Sequence, residues 1–135
     1  MSRVFIDTNV LLYYYTSSEV VKRERVVSLA SENSIVVSTQ VLSEMANVLS
    51  RKFANSWASI RDAVQEVSES FEVTTITEST VEQACSIAER HRMSYYDSLI
   101  VGAALEAGCS LLYSEDMHNG LVIESKVTIL NPFAR

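Results

Sequence analysis

Few residues here suit chemistry that needs special side chains. One proline and three glycines in 135 residues leave no room for a linker, a low-complexity tail or a glycine-rich phosphate loop. There is no Gly-x-Ser-x-Gly elbow to carry a serine nucleophile. The two cysteines, Cys85 and Cys109, share no ligand spacing with His91 or His118, which argues against a zinc site. Without an export signal both read as reduced core thiols. The longest apolar stretch, 98–113, is interrupted by Glu106 and falls short of the ~20 residues of a membrane span. The N-terminus meets an acid at Asp7, which no signal peptide does. Together these features predict a cytoplasmic protein with no membrane contact. Positive charge is scarce too. A net charge of −6 argues against a protein whose main work is coating nucleic acid. It leaves open an enzyme that reaches phosphates through bound metal.

What is present is a core. Hydrophobic residues make up 47% of the chain, and a chain of this length buries roughly two-thirds of its unfolded surface. One domain over residues 1–135 is expected. Short apolar runs rich in β-branched residues read as buried strands: Val4–Ile6, Ile35–Val37, Val73–Ile76, Leu111–Tyr113 and Val127–Leu130. Helical stripes lie between them. Val41, Met45, Val48 and Leu49 form one, Trp57, Ile60, Val64, Val67 and Phe71 a second, and Val81, Cys85 and Ala88 a third. Tyr95–Ala107 is apolar nearly all round, as a helix buried between neighbours is, and Gly108 closes it. Strands alternating with helices predict a three-layer α/β/α sandwich with a central, mainly parallel five-stranded sheet. In such sheets ligands bind beyond the carboxyl ends of the strands.

The chain has only four aspartates, Asp7, Asp62, Asp97 and Asp116, and three sit where an apolar run stops or a helix begins. Each has an ordinary explanation. Asp7, opening Asp7-Thr8-Asn9, suits a turn or helix cap. Asp97 closes Ser94-Tyr95-Tyr96-Asp97, a variant of the capping box. Asp116 reads as a loop acid. Glu44 lies about 40° from Val48 around its helix, where acids usually snorkel. Their joint placement is harder to dismiss. Asp97 shares its face with Ile100, Val101 and Ala104, and an unpaired charge there is costly. Neighbouring strands are ~4.8 Å apart, so acids at adjacent strand ends can share an ion. Mg²⁺ and Mn²⁺ take carboxylate and water oxygens and need no histidine or cysteine. The basic runs, Lys22-Arg23 with Arg25 and Arg51-Lys52, read first as a solvated face and second as guides for an RNA backbone.

Four segments in this order, Val4-Phe5-Ile6-Asp7-Thr8-Asn9-Val10-Leu11, Val41-Leu42-Ser43-Glu44-Met45, Tyr96-Asp97-Ser98-Leu99-Ile100 and Tyr113-Ser114-Glu115-Asp116-Met117, resemble the PIN-domain ribonucleases. The likeness is strongest to the small VapC-type toxins of toxin–antitoxin pairs. It implies that Asp7, Glu44, Asp97 and Asp116 are the acidic quartet, both catalytic and metal-binding. Thr8, Asn9 and Ser114 support them: Asn9 braces the first acid, and Ser114 is the hydroxyl before the last. It further implies an endoribonuclease using Mg²⁺ or Mn²⁺, an RNA substrate, a protein antitoxin and a homodimer. Some members carry another acid two residues after the last, where this chain has His118, so one or two metals remain open.

Two other function classes compete. A phospho-acceptor signalling domain is also α/β with a Mg²⁺-binding acid cluster. It needs an acid pair after the first strand and a lysine after a late one, whereas Asp7 is followed by Thr8, and Lys126 precedes its strand. A catalytically inactive PIN-like scaffold for protein binding is the other alternative, against which the complete quartet argues.

Overall fold

The computed structural model describes residues 2–134. Six strands form one sheet: β1 (Arg3–Ile6), β2 (Ser34–Ser38), β3 (Glu72–Thr74), β4 (Leu111–Tyr113), β5 (Val122–Ile123) and β6 (Val127–Leu130). Their order is β3-β2-β1-β4-β6-β5. Every pairing is parallel except that of β5 with β6. Helices α1 (Thr8–Leu11), α2 (Val20–Glu32), α3 (Thr39–Arg51), α4 (Trp57–Ser70), α5 (Glu78–His91) and α6 (Tyr95–Glu106) complete an α/β/α sandwich. A 3-10 turn, Leu12–Tyr15, follows α1.

The centre of the sheet is buried because it is apolar on both faces. Val4, Phe5, Val36, Val37, Leu112 and Ile129 have no exposure. Phe5 aligns with Val36 on one side and Leu112 on the other. From β1 the chain winds outward to β2 and β3, then crosses back to β4. The strand order therefore reverses beside β1, and the carboxyl ends of β1 and β4 flank the crevice this creates.

Several expectations need correction. The sheet has six strands, not five. The extra strand, β5, is two residues long and joins β6 through a tight turn at Glu124 and Ser125, whose φ values are 52° and 55°. The Lys126 N–H donates to the Ile123 carbonyl at 3.0 Å. Positive φ at both central residues is what a type I′ turn requires, normally announced by Asn-Gly, and Glu-Ser carries no such signal; with Ile123 paired to Val127, three residues separate the strands. The edge strand β3 is half exposed. Helix α2 has its apolar residues spread around the helix with no single stripe, burying Val26 and Leu29 and exposing Val20, Val21 and Val27. In α5 the buried face is Thr80, Ala84 and Ile87, one position off the predicted stripe, so Cys85 is exposed and not a core thiol. That face packs on α6, where a Cβ on Gly102 would sit in ordinary contact with Thr80 and Ile87 at 3.7–3.9 Å. Small residues on both helices let their backbones approach.

Helix α6 is buried all round from Ser98 to Ala104. Beyond it Gly108 adopts φ +71°. The Cys109 and Gly108 N–H groups donate to the Ala104 and Leu105 carbonyls at 3.0 and 3.1 Å, a Schellman stop. Burial pushes the Cys109 thiol up to about 11, so it stays protonated. No helix among the described residues is long and apolar enough to cross a membrane.

Candidate active site

Where β1 ends, Asp7 turns the chain into α1. Its Oδ1 accepts from the Thr8 N–H at 2.7 Å, so it is a helix cap. Its second oxygen does something a cap does not require. Oδ2 accepts from Ser114 Oγ at 2.8 Å and, more weakly, from Asn9 Nδ2 at 3.4 Å. Ser114 directly follows β4 and is fully buried. The parallel pairing of β1 with β4 brings these two strand ends together.

Asn9 connects the next acid. Its Oδ1 accepts from the Glu115 N–H at 3.2 Å, which orients the amide and turns Nδ2 toward the carboxylates. Nδ2 then donates to Asp116 Oδ2 at 2.9 Å. A single amide thus lies between Asp7 and Asp116. Glu44 comes from the middle of α3: Oε1 accepts from Thr8 Oγ1 at 2.7 Å and Oε2 from Gln40 Nε2 at 3.4 Å. Gln40 Nε2 also donates to the Tyr96 carbonyl at 3.2 Å, linking α3 to α6. Asp97 stands in the first turn of α6. Ser94 Oγ accepts from the Asp97 N–H at 3.3 Å. No return bond from the Asp97 carboxylate occurs among the described residues, so the capping box is half formed and the acid is left for the cleft.

Asp7, Thr8, Asn9, Glu44, Asp97 and Asp116 line one cleft of about 390 Å³. Ser114 supports its floor from beneath Asp7. Burial pushes the Asp7 carboxyl up to about 6; the Ser114 and Thr8 hydrogen bonds oppose the rise, and the nearby charges of Glu44 and Asp97 add to it. Asp7 is 7% exposed, so its charge lacks water's help and sits among like charges.

The donor set is all oxygen, as hard divalent cations prefer. Asp7, Glu44, Asp97 and Asp116 are the residues that could hold one. No three histidine, cysteine or acidic side chains among the described residues already converge as a ready-made ion cage. Mg²⁺ commonly takes only one or two carboxylates and keeps several waters, so the set fits that ion better than a cage-bound one.

Other residues complete the surroundings of the cleft. Gln40 is one helical turn before Glu44 on the same face, a spacing visible in the sequence. Tyr96, Asn47 and Lys52 also line the cleft. In the first basic run Arg23 and Arg25 are exposed, as a solvated face requires, and Lys22 is half-buried. Lys22 pairs with Glu115 and donates to Tyr13 Oη at 3.2 Å, while Arg23 and Arg25 donate to the Tyr14 and Pro132 carbonyls.

A family model described as the PIN domain matches residues 4–118, a span that includes all four acids. The chain belongs to the PIN domain family. No curated protein sequence matches this PIN domain. Its fold is similar to that of VapC20 from Mycobacterium tuberculosis, described as a Sarcin-Ricin loop cleaving toxin. The two share 21% identity over 84% of this chain and 89% of that one, with a TM-score of 0.69. It is also similar to a chain of a toxin–antitoxin complex from Klebsiella pneumoniae, at 14% identity, 96% and 98% coverage and a TM-score of 0.71. A chain of DNA-bound VapBC from Salmonella typhimurium matches at 20% identity, 98% and 99% coverage and a TM-score of 0.64.

Proposed function

We propose that this PIN domain is a Mg²⁺- or Mn²⁺-dependent endoribonuclease that hydrolyses RNA phosphodiester bonds, and the toxin of a VapBC-type pair. The observation that carries the reading is the meeting of four carboxylates from four separate segments in one cleft at the sheet's switch point. A divalent cation bound there would stabilise charge on the phosphate and make water more acidic. The chain's own groups do the positioning. Ser114 and the Thr8 amide hold Asp7, Asn9 holds Asp116, and Thr8 Oγ1 with Gln40 holds Glu44. One carboxylate takes the attacking water's proton, and no covalent intermediate is needed. The antitoxin proposal draws on neighbours solved as toxin–antitoxin complexes. A homodimer and a cytoplasmic location belong to the same reading.

The test is to express the chain in a host and sequence the RNA ends that appear. New ends should depend on Asp7 and Asp97, vanishing in Asp7→Asn and Asp97→Asn variants that remain folded. Purified wild-type protein should cleave the same sites only with divalent metal. Full activity in either variant refutes the site assignment.

A further inference from the structure

Two features of the cleft wall serve neither the acids nor the core. Tyr96 precedes Asp97, lines the cleft and is 65% exposed. A large aromatic at the mouth of an acidic cleft gains little from burial there. At the other end of α3, Lys52 lines the same cleft and joins Asn47, Val48 and Arg51 around an adjoining hollow. The ion pairs among the described residues are Arg3–Glu72, Lys22–Glu115 and Arg90–Glu124. Arg51 and Lys52 take part in none of them. Helix geometry puts Arg51 only about 20° from Glu44 around α3, two turns further along. The dipole at a helix C-terminus favours a cation, but it does not require a pair bordering a carboxylate cleft in an acidic protein.

Resting on the ribonuclease reading above, we infer that these elements form a track for single-stranded RNA. A base stacks on Tyr96 and a flanking phosphate docks on Arg51 and Lys52, with the carboxylates between them. Gln40, which touches Tyr96, and Lys52, the C-cap of α3, are twelve residues apart, about 18 Å. That length covers no more than about five nucleotides at the ~3.4 Å rise of a stacked strand. An aromatic face accepts any base, but only one freed from a duplex. The track thus adds a base platform on one side of the carboxylates and a phosphate dock on the other, and the two cations add to the attraction that a bound divalent ion would supply.

The test measures binding of fluorescent single-stranded oligouridylate and oligoadenylate of about ten nucleotides to the full chain, with Ca²⁺ in place of Mg²⁺. Tyr96→Ala should weaken binding roughly ten- to a hundredfold, and Tyr96→Phe, which keeps the ring face, should restore it. An Arg51→Ala/Lys52→Ala double variant should flatten the salt dependence by about 1.4 in log–log slope. All three positions are exposed, and thermal melting will show the variants folded. Unlabelled duplex of the same length should compete poorly. Wild-type affinity in Tyr96→Ala, an unchanged slope in the double variant, or duplex competing as well as single strand would each overturn the track while leaving cleavage by the wild type intact. A wild-type protein that neither binds nor cleaves any RNA overturns the ribonuclease reading and the track together.

Discussion

At the scale of single residues, Asp7 governs both stability and chemistry. Its carboxyl titrates near 6 when folded, with burial as the main cause, and near 4 when unfolded. The folded form therefore holds its proton over a pH range where the unfolded form has lost it. Stability from this group is fully present below about pH 4 and is lost as pH rises through 6, a loss of roughly 3 kcal/mol. In chelator, Asp7→Asn should thus melt higher than wild type at pH 7.5 and lose that advantage at pH 4. Thermal melting at the two pH values checks this, and an advantage independent of pH would show that Asp7 is not strained by its charge. Ser114 acts through Asp7. Removing its hydroxyl leaves Asp7 Oδ2 with only the long Asn9 contact. Ser114→Ala should raise the Mg²⁺ concentration needed for half-maximal cleavage by roughly ten- to a hundredfold, as loss of partners behind metal ligands does. A Mg²⁺ titration of the cleavage rate measures it.

At the scale of elements, the β5–β6 hairpin carries avoidable strain. Ser125 sits at φ 55°, in the left-handed region that costs a side-chain-bearing residue about 1–2 kcal/mol. Glycine there relieves the strain but loses more freedom on folding. The net for Ser125→Gly should be a gain of about 0.5–1 kcal/mol, or a few degrees in Tm, with cleavage unaffected because the turn is remote from the acids. Calorimetry is the direct measurement. The α5–α6 contact predicts the opposite sign. Placing a large side chain at Gly102 would push apart helices whose spacing is set by Thr80 and Ile87. Gly102→Leu should destabilise by about 1–3 kcal/mol, read from urea midpoints.

At the scale of the whole molecule, one apolar surface lacks a partner. Trp57 is 69% exposed and shares a groove with Ala46, Ile60 and Val64 on α3 and α4. Tryptophan and tyrosine are favoured at interfaces, so either this stripe or the aromatic run Tyr13–Tyr15 suits a surface for a second copy or an antitoxin, and the core is the competing place for both. The structure separates the two candidates. Tyr13 is engaged internally by Glu115, Lys22 and Phe133, which leaves the Trp57 groove as the stronger one. Trp57→Asp should shift the particle mass from dimer to monomer by light scattering, while a wild-type monomer that contacts no antitoxin there would refute the assignment. Charge acts on this scale as well. With a net charge of −6, RNA affinity should collapse in chelator and fall only shallowly with salt, because few cations release counterions.

The sequence by itself determined the strand cores, the all-round burial of α6 and its glycine stop, and the order of the four acids. These are written locally. A doubly buried strand must be an apolar run, a buried helix must be apolar on every face, and an acid at a strand end is visible as the residue where the run breaks. Tertiary structure decided the rest. Thr80 and Val81 lie one position apart on equally good helical stripes, and only the packing of α5 on α6 selects the first. Glu124-Ser125 bends like Asn-Gly because β6 is there to be paired. Lys22 could have met any of thirteen glutamates, and it meets Glu115 because α2 packs on the Leu12–Tyr15 turn, which brings Lys22 to the segment after β4. Ser114 reaches Asp7 across a sequence separation of 107 residues. Local pattern limits which residue types can be buried or exposed, but many pairings satisfy it equally. Strand order and helix packing choose among them, and so the cleft's hydrogen bonds exist only once the sheet has formed.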